Sequence, residues 1–302
     1  MSNLTARAGI PGTSPDGRDP GTVGSAAVVV DRTARRRARY RKLLVYSLRL
    51  VVLVVVVGGW EALTRAEVIE SFFWGQPSKI YLQIVDWVVN GTSQGSLWAQ
   101  IWVTLKEALL GFGLGVVAGV VFGVLLGRVE MLAQVFGPYI KVANSVPRIV
   151  LGAVFVVALG LGLVSKVALA FVMVFFAVFF NAFQGTREVN RDLIANAQVL
   201  GASQRQVTTQ VILPSALTWI IASLHTSFGF AIIGALVGEI LGAEQGLGLL
   251  ISHSQGTFNQ NGVFAAMVII ALIALAAEAL ITVLENRLLS WRPPRLSAAT
   301  DL

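Results

Sequence analysis

The stretch IWVTLKEALLGFGLGVVAGVVFGVLLG, residues 101–127, decides the fold. As an α-helix it would extend about 40 Å, which exceeds the roughly 30 Å hydrocarbon core of a membrane. Glycines recur along it at a spacing of four, and because four residues turn a helix by about 400°, they form one slowly drifting stripe. The stripe consists of Gly111, Gly115, Gly119, Gly123 and Gly127. We therefore predict a membrane helix with a close packing face, and we favour packing within the chain over a dimer contact.

The composition of the whole chain is that of a membrane protein. Of its 302 residues, 55% are hydrophobic and 13% are charged, whereas soluble domains carry about 25% charged residues. Without cysteine the chain has no disulfide, no thiol nucleophile and no cysteine metal site, and two histidines are too few for a metal cluster. The sequence contains no Gly-Lys dipeptide, so the phosphate-binding loop of ATPases is absent. Any ATP that drives this protein must therefore be bound by another chain.

The first part of the chain is polar and then basic. Residues 1–30 hold three prolines and five glycines, and we predict a disordered cytoplasmic arm over residues 1–42. Its basic run, from Asp31 to Lys42, directly precedes the apolar segment Leu43–Leu63, which is long enough to span a membrane. The run therefore places the N-terminus in the cytoplasm. Because it adjoins a span, attraction to anionic membrane lipids is favoured over nucleic-acid binding.

Further apolar stretches predict an all-α, polytopic fold with six transmembrane helices. Between the first two spans, Ile80–Val89 suggests a short interfacial helix. Lysine and arginine concentrate in the segments on one side, so both termini, including the tail 293–302, are predicted to be cytoplasmic. The third span is predicted to be interrupted by Pro138 and Pro147. The later spans cover about Met131–Gly160, Val167–Gln184, Ala216–Gly242 and Val263–Leu289.

A polar stretch of about residues 187–214 lies between the fourth and fifth spans and cannot cross a membrane. Gly201 divides it into two short helices. We predict that Leu213-Pro214 ends the second helix, because the residue before a proline is disfavoured in the α conformation.

This stretch resembles the cytoplasmic coupling loop of ABC-importer permeases. In that loop Glu-Ala-Ala, three residues, Gly, nine residues, Ile, one residue and Leu-Pro form the surface that docks on an ATPase subunit. The matching positions are Ala197, Gly201, Leu213 and Pro214. The departures are Ala195 in place of Glu, Asn196 in place of Ala and Val211 in place of Ile. Without the glutamate, docking is expected to rely on shape and apolar contact.

The resemblance covers about residues 43–292 and is closest to the nitrate, sulfonate and taurine branch of these permeases. It includes Pro147-Arg148, the glycine-rich segment after Glu239 and the closing Trp291-Arg292. It implies that two copies of the chain form a pore, that two ATPase subunits bind ATP and dock on the loops, and that an external binding protein delivers a small solute. A secondary carrier without an ATPase is the alternative. A membrane enzyme is disfavoured because the chain shows no reactive constellation.

Polar residues inside the spans are candidates for the translocation pathway. In the fifth span these are His225, Thr226, Ser227 and Glu239. Serine and threonine can bond back to their own helix, whereas a histidine within a span is rare. Arg148 and Glu278 are charges inside apolar runs, each costing about 2.5–3.5 kcal/mol near mid-bilayer if alone. They either pair with each other or reach headgroups or water separately, and we favour the second alternative.

Overall fold

The computed structural model describes the backbone of residues 20–288 and the side chains of residues 40–287 other than 42 and 191. Within this range the fold is all-α, as predicted. The helices are α1 (Pro20–Arg65), α2 (Ser71–Trp74), α3 (Pro77–Val89), α4 (Leu97–Arg128), α5 (Glu130–Ser145), α6 (Leu151–Leu159), α7 (Leu163–Arg187), α8 (Arg191–Val199), α9 (Gln204–Gln206), α10 (Leu213–Leu241), α11 (Leu247–Gly256) and α12 (Gln260–Leu288). A 3-10 turn, Arg148–Val150, precedes α6, and a π-helix, Val207–Ile212, precedes α10. The chain divides into a unit that ends at Ala62 and a second unit that begins at Leu63.

Five helical segments of the described chain are long and apolar enough to cross a membrane. They are Leu43–Arg65, Leu97–Arg128, Leu163–Arg187, Gln204–Leu241 and Gln260–Arg287. Helix α5 and the segment Arg148–Leu159 make a sixth if their 74° bend is counted as one broken span. The predicted interruption at Pro147 is confirmed, but Pro138 lies inside α5 without ending it. No residue of α5 is buried, so the backbone carbonyl that loses its partner at Pro138 is not sealed in a core.

The N-terminal arm differs from the predicted disorder. Helix α1 begins at Pro20, so the backbone of residues 20–42 is helical rather than disordered. Proline is favoured in the first turn of a helix, and the alanines and arginines that follow have high helix propensity. Extending an existing membrane helix also avoids the cost of nucleating a new one. Residues 1–19 and the predicted tail 293–302 lie outside the described residues.

Helices α4 and α7 pack through the glycine stripe. A Cβ atom built at Gly115 would lie 2.7 Å from Cβ of Val174. One built at Gly119 would lie 2.8 Å from Cβ of Val178. The facing residues of α7 also recur every four positions, as Ala170, Val174, Val178, Ala182 and Thr186. The prediction of a close packing face within the chain is confirmed, and the small residues explain how the two backbones approach so closely.

Helix α10 packs against a neighbouring face of α7, again through glycine. A Cβ atom at Gly234 would lie 2.8 Å from the backbone nitrogen of Ala170, and one at Gly238 would lie 2.8 Å from the Lys166 side chain. The buried core that α4, α7, α10 and α12 share consists of Ala108, Val174, Val178, Phe228, Ala231, Ile232, Ala235 and Ile281. These helices form the frame on which the loop and the cavities below are held.

The fifth span starts earlier than predicted. Leu213-Pro214 does not end a helix, because α9, the π-helix and α10 run without a break over Gln204–Leu241. Leu213 keeps helical angles, with φ −63° and ψ −46°. The wide π turn just before Pro214 changes the backbone bonding pattern where the proline ring and its missing N–H would disturb an α-helix. The predicted second loop helix is therefore the first part of the span itself.

Candidate functional site

The loop between α7 and α10 is built on its own small apolar cluster. Two caps fix its helices: the Asn190 side chain accepts from the N–H of Asp192 at 2.8 Å, and Ser203 and Gln206 form a capping box. Each cap satisfies backbone groups that a helix end would leave unpaired. The cluster consists of buried Val189, Val207 and Ile212, with Ile194, Ala197, Ala202 and Val211 packed against it. The loop is therefore a folded unit.

The loop tip carries exposed aliphatic side chains. Gly201 has φ +82°, a left-handed conformation that favours glycine, and its N–H donates to the Gln198 carbonyl at 2.9 Å. The two residues just before it, Val199 and Leu200, are each 87% exposed. On a polar loop, an exposed aliphatic pair is a surface that a partner can cover.

The predicted docking residues occupy different places in this loop. Ala195 is exposed on α8, whereas Ala197 is half-buried against the apolar cluster. Leu213 and Pro214 are half-buried at the base of α10. The sequence motif thus combines surface positions with positions that hold the loop in shape, and its contact with an ATPase stays a prediction.

A cavity of about 390 Å³ lies between α7 and α10, and Arg148 lines one side of it. The guanidinium carbon of Arg148 is 5.1 Å from the centroid of the Phe176 ring, and the guanidinium donates to Oδ1 of Asn144. The wall also includes Asn181, Ser223 and Thr226. A cation, an aromatic ring, an amide and hydroxyls around one concave space can bind a small organic solute.

Of the predicted pathway residues in the fifth span, Thr226 lines this cavity. Ser227 and Glu239 are fully buried in the helix packing, and His225 contacts α12, so none of these three side chains lines this cavity. Consecutive helical residues point about 100° apart, so His225, Thr226 and Ser227 cannot all face one passage.

Glu239 belongs to a buried network that ties α10 to α4 and α11. Its Oε1 accepts from the hydroxyl of Thr104 and its Oε2 from the N–H of Gly248, both at 2.6 Å. Gln100 accepts from the N–H of Gly246 at 2.7 Å. A carboxylate beside the N-terminus of α11 is favoured by the helix dipole. The glycine-rich segment is thus structural here, since a side chain at Gly246 or Gly248 would collide with Glu239.

Sequence reasoning missed two interior charges, Glu107 and Lys166, each 3% exposed. Lys166 lies in the first turn of α7, and its Nζ donates to the carbonyl of Leu161. Both line a separate cavity of about 530 Å³ near the start of α7. The available signal was that each interrupts or borders an apolar run, where charges are costly and usually have partners.

His225 joins α10 to α12 through two carboxylates. Its Nδ1 is 2.6 Å from Oε1 of Glu278, and its Nε2 is 3.1 Å from Oε2 of Glu285. The two glutamates are seven residues apart and so share one face of α12. Arg148 has its own partner in Asn144, so the structure does not pair it with Glu278. Each charge is accommodated separately, but Glu278 reaches a histidine rather than headgroups.

We expect His225→Ala and Glu278→Gln to be non-additive, with a coupling of about 0.5–3 kcal/mol, because the two side chains are in direct contact. Thermal unfolding in detergent of both single variants and the double variant measures this coupling. Combining Arg148→Glu with Glu278→Arg, which exchanges the two charges, should not restore the stability lost in either single variant. Recovery would contradict the partners described above.

Comparison with known proteins identifies a matching family and a solved structure of similar fold. Residues 115–290 match the family model described as "Binding-protein-dependent transport system inner membrane component". An amino acid ABC transporter of known crystal structure superposes with a TM-score of 0.53 at 18% identity, covering 70% of this chain and 96% of that chain. At this identity the likeness concerns the fold.

Curated relatives of this chain are named as transport permease proteins. The formylaminopyrimidine transport permease protein ThiX of Halalkalibacterium halodurans is 34% identical over 163 residues, 54% of this chain and 65% of the relative. The putative aliphatic sulfonates transport permease protein SsuC of Bacillus subtilis is 33% identical over 155 residues, 51% of this chain and 56% of the relative. These two matches therefore extend over less than two thirds of each relative. The taurine transport system permease protein TauC of Escherichia coli is 26% identical over 269 residues, 88% of this chain and 98% of the relative.

Proposed function

We propose that this chain, which belongs to the family of binding-protein-dependent transport system inner membrane components, is the pore-forming permease subunit of an ATP-driven ABC importer. The observation that carries the proposal is the exposed Val199-Leu200 tip beside Gly201, in a loop with the spacing of an ATPase docking surface. Both termini and this loop would be cytoplasmic. The protein is a multi-pass inner membrane protein of a transporter family rather than an enzyme family.

The proposed assembly contains two copies of the chain, two ATPase subunits and an external binding protein. ATP would be bound by the ATPases, since this chain has no phosphate-binding loop. The ATPases can move the loops only if they bind one arrangement of the pore more tightly than the other.

A continuous helix connects the loop to the cavity. Residues Gln204–Leu241 run unbroken from the loop, and this helix carries Ser223 and Thr226 in the cavity wall. Arg128 at the end of α4 donates to the carbonyl of Gln204 at 3.0 Å, so α4 is tied to the same point. A displacement of the loop by the ATPases would therefore tilt α10 and α4 together and change access to the cavity.

The proposed cargo is a small solute, of the nitrate, sulfonate or taurine type or a related small organic compound. Relatives are named for formylaminopyrimidine, aliphatic sulfonates and taurine. A cavity of about 390 Å³ is of the size that suits such molecules.

The test is purification of the tagged chain from membranes, followed by reconstitution into liposomes with the binding protein. We expect an ABC ATPase to copurify and uptake of labelled taurine or ethanesulfonate to require ATP. Uptake by the chain alone, driven by an ion gradient without ATP, would instead support a secondary carrier.

A further inference from the structure

Two cavities lie along α7 with Phe180 in the wall of each, and we refer to the two together as the α7 groove. The first is the cavity of about 390 Å³ beside Arg148, and the second, of about 650 Å³, is lined by α4, α5 and α7. The groove therefore follows α7 from the interior of the span toward Arg187 at its C-terminal end, which we predict to be cytoplasmic.

One face of α7 supplies the floor of the groove. Phe176, Phe180, Phe183 and Arg187 follow one another at steps of four, three and four residues, which keeps them on the same side of the helix. Along the axis, Phe176 and Phe183 are about 10 Å apart at about 1.5 Å per residue. This distance is comparable to the length of a small organic solute.

Cations stand along the same groove. Arg148 lies 5.1 Å from the centroid of the Phe176 ring, and Arg187 lies 5.4 Å from that of Phe183. Lys141 of α5 lines the second cavity together with Phe180 and Phe183. A ring face fixes a guanidinium in place without neutralising its charge.

The charge balance of the groove is positive. Its lining includes three cations, Arg148, Lys141 and Arg187, and one carboxylate, Glu130. A cleft lined by one sign of charge between low-dielectric walls concentrates ions of the opposite sign. Several weak sites in series also allow an ion to enter and to leave, which a single tight site would prevent.

We propose that the α7 groove is the inward route for the solute and that it selects small organic anions, which pass from Arg148 to Lys141 and then to Arg187. The sulfonate or carboxylate group binds the cations in turn, while the apolar part of the solute slides over the phenylalanine rings. The inference rests on the proposed permease function and adds to it the charge of the cargo and the residues that select it.

The absence of native cysteine makes a direct test possible, since a single introduced cysteine is the only thiol of the chain. Ala177 lines the cavity beside Arg148, so a reagent that enters from the Arg187 end passes Arg187 and Lys141 before it reaches a thiol placed by Ala177→Cys. Inside-out membrane vesicles are treated with two methanethiosulfonate reagents of similar size, one carrying a sulfonate and one a trimethylammonium group. Relative to a free thiol in solution, we expect the sulfonate reagent to react at least about 10-fold faster, the lower end of electrostatic steering effects.

Neutralising the cations tests whether they cause the faster reaction of the sulfonate reagent. In the Ala177→Cys background, Lys141→Gln with Arg187→Gln should bring the rate ratio close to that of the free thiol. The matched control is Arg287→Gln, which removes an exposed cation at the end of α12 outside the groove and should leave the ratio unchanged. Uptake is not needed for this measurement, so its outcome is distinguishable from a failure of the permease assignment.

Two results would overturn the proposal. Equal normalised rates for the two reagents would mean that the groove does not select charge. No reaction with either reagent, in a variant that unfolds at the same temperature as the unmodified chain, would mean that lipid or protein covers the phenylalanine face and that no aqueous route passes there.

Discussion

Replacing both Val199 and Leu200 with aspartate will abolish ATP-driven uptake while the chain stays folded in the membrane. Both side chains are 87% exposed, so their replacement removes little packing within the chain. An apolar contact that anchors an interface is worth about 2 kcal/mol or more, and burying two unpaired carboxylates there adds a further cost. We therefore expect binding of the ATPase to weaken by at least about 25-fold, since each 1.4 kcal/mol is about tenfold.

The measurement is the amount of ATPase that copurifies, together with ATP-dependent uptake in liposomes. Gln198→Asp is the matched control, because it adds a charge at a neighbouring exposed position that is already polar. Full retention of the ATPase by the double variant would show that the loop tip is not the docking surface.

Leucine in place of Gly119 will force α4 and α7 apart and markedly lower the stability of the fold. The first side-chain carbon alone would lie 2.8 Å from Cβ of Val178 and 3.0 Å from the backbone of Phe175 and Phe179. Backbone atoms of α7 cannot rotate aside, so the two helices must move apart along the whole seam. Overfilling an interior costs about 1–3 kcal/mol, and we expect the upper end of this range because the seam is repeated.

Thermal unfolding in detergent and the yield of membrane-inserted protein report this loss. Gly113→Leu provides the control on the same helix, because a Cβ atom at Gly113 meets nothing within 4 Å. If the two substitutions lower the unfolding temperature equally, the effect comes from leucine in α4 in general and the seam is not the cause.

The sequence by itself determined the membrane class, the approximate positions of the spans and the glycine packing face of α4 in this protein. These features follow from the length of apolar runs and from a spacing of four, which act within one helix and need no knowledge of its neighbours. The Gly201 motif likewise located the loop.

Tertiary structure alone decided which polar side chains meet. Helix α10 is apolar on most of its surface, so its sequence does not say which side faces α7, α12 or a cavity. That rotation is why Glu239 is buried, why Thr226 lines the cavity and why Glu278 meets His225, 53 residues away. The π turn before Pro214 was also decided by tertiary structure. The conformational preferences of proline alone do not show how the neighbouring apolar cluster holds the helix. The α7 groove also required the structure, since Lys141 and Arg148 lie on opposite sides of the 74° bend that follows α5.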